Sequence, residues 1–232
     1  MSSNPPNTSN LTSFKNMSIS FLTLPRELRD KIYEFCLSHD EPICPWDGYY
    51  DKELSSGLIL TNKTINREAS MVLYRNCFDF TKITPKGVTS FLEQIGRNVD
   101  YIQHVYIHFP TFRDLKMGSV AIGDNDGYVL ASIQSNCVNL KTLTTFQSNI
   151  KPTKVSLIAL NPKFAPEALA LVDASFRAIA SLQDIIVEVD DDCLSDYMRE
   201  LIESHGWTIV DAHEGSTLIT GSRSNWSRGL QG

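Results

Sequence analysis

Between residues 85 and 211 one pattern recurs four times: apolar side chains at helical spacing, then a short run in which apolar residues alternate. The helical stretches fall at about 85–99, 128–137, 166–180 and 194–204. The alternating runs follow at 102–109, 142–146, 185–190 and 207–211. A helix between two strands is long enough to carry the chain back over a sheet, so successive strands can lie parallel. A further short strand is expected ahead of the first unit, at Cys77-Phe78-Asp79-Phe80, and residues 216–220 are close enough to 207–211 to return as a hairpin. The chain is therefore expected to be α/β, with a mostly parallel sheet and a C-terminal hairpin.

The junctions inside the units resemble one another. Val99-Asp100-Tyr101-Ile102, Val138-Asn139-Leu140-Lys141 and Ala180-Ser181-Leu182-Gln183 each end a helix on an apolar residue and open an alternating run. This is similar to an irregular leucine-rich repeat, with uneven spacing between units. An ordinary open α/β sheet is the alternative.

Ahead of the units, two helices are expected. Leu28, Ile32, Phe35 and Cys36 recur at helical spacing after Pro25, which suits a first helical turn. Burying four or five such side chains would contribute roughly 10 kcal/mol before entropy is subtracted, so this helix is expected to pack on something. A second helix spans about 58–74, with Ile65, Ala69, Val72 and Leu73 as its apolar face. Between the two, a long loop from 39 to 56 carries Trp46, Tyr49 and Tyr50. The expected organisation is a disordered tail over 1–20, a helical region over 21–80, the α/β region over 81–220 and a second disordered tail over 221–232.

The 232 residues carry a formal charge of −6, which is poorly suited to gripping phosphates, so no nucleic-acid partner is expected. No apolar run approaches the ~20 residues that cross a bilayer, and the N-terminus lacks the pattern of a secretory signal. Five scattered cysteines, none in a C-x-x-C pair, fit unbridged thiols in a reducing compartment. The expected location is cytoplasmic or nuclear, with no membrane attachment.

Catalytic signatures are missing from the sequence. It has no G-x-G-x-x-G, Walker loop, G-x-S-x-G or H-E-x-x-H. His104 and His108 are four apart, but on a strand they would stand about 13 Å apart on one face, too far for one zinc ion. Asp124-Asn125-Asp126-Gly127 begins like a calcium loop and then places Ser135 where the closing carboxylate belongs, so a glycine turn is expected instead. Asp190-Asp191-Asp192 reads as a solvated loop before a helix. Neither an enzyme activity nor a cofactor is expected.

Two blocks resemble a known family. Leu24-Pro25-Arg26-Glu27-Leu28-Arg29-Asp30-Lys31-Ile32-Tyr33, ending at Leu37, has the pattern L-P-x-E-L-R-x-x-I-Y-x-x-x-L. Arg67-Glu68-Ala69, then Leu73-Tyr74, then Phe78-Asp79-Phe80 give R-E-A, L-Y and F-x-F in the same order. Together they resemble the F-box-like domains found in many fungal proteins, although Asn62-Lys63-Thr64 stands where that family usually has Cys-Arg-Gln. The resemblance implies a substrate-recognition adaptor of a cullin-type ubiquitin ligase. Its linker contact, a Skp1-type protein, would fall on Leu24, Pro25, Leu28 and Ile32, an apolar helix face laid in a groove. A scaffold or binding module unconnected to ubiquitin ligation is the alternative, and an enzyme with an unrecognised site a second one.

The partner surface is expected on the open face of the sheet; the alternative is that the N-terminal helices or the terminal hairpin cover this face and make it core. Side chains alternate across a strand, so Val105, Ile107 and Phe109 should meet the covering helices and His104, Tyr106 and His108 the other side. By the same alternation Thr144, Phe146, Ile186, Glu188 and Asp190 share that side. Within this group His104, Tyr106, His108, Phe146, Glu188 and Asp190 make a mixed aromatic and polar surface fitted to a protein partner.

Overall fold

The structure, a computed structural model, describes residues 20–46, 56–116, 118–147, 161–189 and 194–211. Outside them lie residues 1–19 and 221–232 of the expected tails, the loop residues 47–55, Asp190 with its acidic run, and the hairpin strand expected at 216–220.

Two helices come first, α1 (Arg26–Leu37) and α2 (Lys63–Leu73). The sheet region follows: β1 (Cys77–Asp79), α3 (Pro85–Ile95), β2 (His104–His108), β3 (Phe112–Lys116), β4 (Ser119–Ile122), α4 (Asp124–Asn136), β5 (Thr142–Gln147), α5 (Ala165–Arg177), β6 (Asp184–Val189), α6 (Asp196–Ser204) and β7 (Thr208–Asp211). The main sheet has five strands in the order β1-β2-β5-β6-β7, and every neighbouring pair is parallel. The chain is thus α/β with a parallel sheet, and each of the four expected helix–strand units is present.

The strand order never turns back. Right-handed crossovers along a sheet that grows in one direction set every helix on the same side. The core bears this out: Val105, Ile107, Leu143, Ile185, Val187 and Val189 point toward Val88 and Leu92 of α3, Ile133 of α4, Leu169 and Val172 of α5, and Met198 and Ile202 of α6, all buried in one cluster. Local sequence sets the helix boundaries. Thr84 and Ser195 accept hydrogen bonds from the amides of Gly87 and Met198. Gly96 and Gly206, at φ 56° and 76°, end α3 and follow α6 where other residues would be strained.

Two local expectations are corrected, and one element was not expected. Asp124 to Gly127 is the first turn of α4 rather than a turn before it, because Asp124 and Asp126 suit the positive end of a helix and the Gly127 amide donates to the Gly123 carbonyl at 2.9 Å. The second helix begins at Lys63 rather than 58, since the Asn62 side chain accepts from the amides of Thr64 and Ile65, both at 2.9 Å, and so caps it. Residues 56–60 form a separate 3-10 turn. Finally, β3 and β4 form an antiparallel hairpin of their own. Their alternation is too short and too polar to stand out in the sequence, and the tie between Gly123 N and Thr111 O at 2.7 Å is invisible there.

Candidate docking helix and sheet face

On α1 the apolar side chains divide into two sets. Tyr33 and Leu37, one turn apart, are fully buried and form a small cluster with Ile65 and Ala69 of α2. Phe21 meets the Tyr33 ring edge-on at 5.5 Å. Leu28, Ile32 and Phe35 occupy a different stripe of the same helix and are 47%, 38% and 83% exposed. The burial expected for these three is therefore overturned. Tyr33 wins the core position because its hydroxyl reaches Glu68 at 3.0 Å while its ring stays among apolar neighbours. Of the other residues expected at the linker contact, Leu24 is half-buried and Pro25 is exposed.

Glu68 fixes the angle at which α1 meets α2. It is itself buried and holds Arg29, Arg26 and Tyr33 around its carboxylate. Hydrogen bonding from Arg29 is the largest cause that lowers its pKa to about 2. Asn76 ties the far ends together, donating to the carbonyls of Leu37 and Leu73 at 2.7 Å each and accepting from the His39 amide.

The sheet face away from the helices is built by register. His104 lies opposite Thr142, Tyr106 opposite Thr144, and His108 opposite Phe146. Phe146 lies opposite Glu188 and Thr144 opposite Ile186. Val105, Ile107 and Phe109 are buried on the helix side, as alternation requires. Tyr106 and Phe146 stack with ring centroids 6.3 Å apart. Tyr106 is hydrogen-bonded to Glu188, and burial together with that carboxylate pushes its phenol up. His104 Nε2 meets Thr144 Oγ1 at 2.7 Å, and burial lowers its imidazole to about 4, so it is neutral at pH 7. His108, at the same strand's end, is exposed. Asp190 lies outside the described residues. The other five expected members share this face, but only His108 among them is exposed. Cys77 and Thr144 on the same face are buried, so the face is less open than expected.

Three relevant positions were not among the candidate site residues. Phe35, seven residues after Leu28, carries the most exposed aromatic ring on α1. Asp79 and Asp184 stand on the same sheet face through β1 and β6. Register alone would have placed them there had pairing been legible. Among the described residues no group of three or more His, Cys, Asp or Glu is arranged to hold a metal ion. No described helix is long and apolar enough to cross a membrane. No known family model, curated protein or solved structure matches the chain.

Proposed function

We propose that this is a non-enzymatic protein-interaction protein that acts as a substrate-recognition adaptor of a cullin-type ubiquitin ligase. In this reading α1 docks a Skp1-type linker through Leu24, Pro25, Leu28 and Ile32, with Phe35 extending the contact. The sheet face away from the helices then receives the substrate, and the protein works in the cytoplasm or nucleus.

The observation that carries the reading is the stripe of Leu28, Ile32 and Phe35. Three large apolar side chains within two helical turns stay open to solvent while the opposite side of the same helix is fully packed. Scattered surface apolar residues need no explanation, but a contiguous stripe on one helix has the form of a helix-in-groove contact. The resemblance of the Leu24–Leu37 block to F-box-like domains supplies the kind of groove.

The test is capture. Purified full-length chain is mixed with a Skp1-type protein, and binding is followed by calorimetry. The wild type should bind, and Leu28→Asp with Ile32→Asp should abolish binding while the circular dichroism spectrum stays unchanged. No binding by the wild type would sink the ligase reading and leave the scaffold alternative.

A further inference from the structure

We draw no further inference here: the strongest candidate, the cleft at the carboxyl ends of β1 and β2 lined by Phe80, Ile83, Ile107, His108, Asn125 and Asp126, rests on the N-termini of α3 and α4 alone, and no second observation there points to a ligand.

Discussion

Arg29 and Glu68 form a two-point ion pair, with Nε 2.9 Å from Oε2 and Nη2 2.8 Å from Oε1. They are 39 residues apart and join α1 to α2. One comes from the Leu-Arg of the first sequence block and the other from the Arg-Glu-Ala of the second. This pair gives a physical reason for the two blocks to occur together: each supplies half of a buried, geometrically demanding contact.

The pair predicts an acid limit for the helical region. Hydrogen bonding from Arg29 holds Glu68 at about 2 in the folded chain against 4.5 for an ordinary Glu. A depressed carboxylate contributes stability that is fully present above pH 4.5 and lost as pH falls toward 2. Glu68→Ala should remove that slope and, because Arg29 and Tyr33 lose their partner, lower the melting temperature at pH 7 by roughly 5–10 °C. Melts of both proteins from neutral to acid pH check this. An unchanged midpoint at pH 7 would mean that the pair is replaceable by water.

The division of α1 predicts opposite responses from neighbouring residues. Leu37 is fully buried, and Leu37→Ala should cost about 2–4 kcal/mol through lost contacts and a partly unfilled cavity. Phe35→Ser, two residues earlier on the exposed stripe, should change stability by no more than about 0.5 kcal/mol. Urea unfolding of the two variants measures both. A large loss in Phe35→Ser would show that the ring is covered by another part of the chain.

How much of this was legible varied by element. The four units were readable because each joins two periodicities, and the parallel sheet followed from the length of the crossovers. The partition of α1 was not readable, because Leu28, Ile32 and Phe35 are as apolar as Tyr33 and Leu37. Hydropathy cannot tell a face that packs internally from one left open. The deciding contact was polar, Tyr33 to Glu68, and joined residues far apart in sequence. The β3–β4 hairpin was missed for a related reason: its anchors, Thr111 to Gly123 and to Asp126, are hydrogen bonds without an apolar pattern. On the sheet face, alternation gave the correct side for His104, Tyr106 and His108. It could not assign Asp79 or Asp184, whose place depends on pairing between strands.

His104 predicts a second pH effect, separable from that of Glu68. Burial lowers its imidazole to about 4 from an ordinary 6.5. Its folded-state pKa is depressed, so its contribution is fully present above pH 6.5 and declines as pH falls through 4. The upper part of that window lies above the Glu68 range. His104→Gln, which does not titrate and can still reach the Thr144 hydroxyl, should flatten the melting temperature between about pH 6.5 and 5 relative to wild type. Identical profiles for the two proteins would place the imidazole in water.

Thr145 carries the last prediction. It stands on β5 between Ile107 and Val187, pointing to the helix side, and is fully buried. Its Oγ1 has no hydrogen-bond partner among the described residues. A buried hydroxyl without a partner costs about 1–3 kcal/mol, whereas the surrounding side chains are apolar. Valine has nearly the same shape and the same β-branched preference for a strand. Thr145→Val should therefore stabilise the chain by roughly 1–2 kcal/mol and raise the melting temperature by about 2–6 °C. A lower melting temperature would show that the hydroxyl is satisfied.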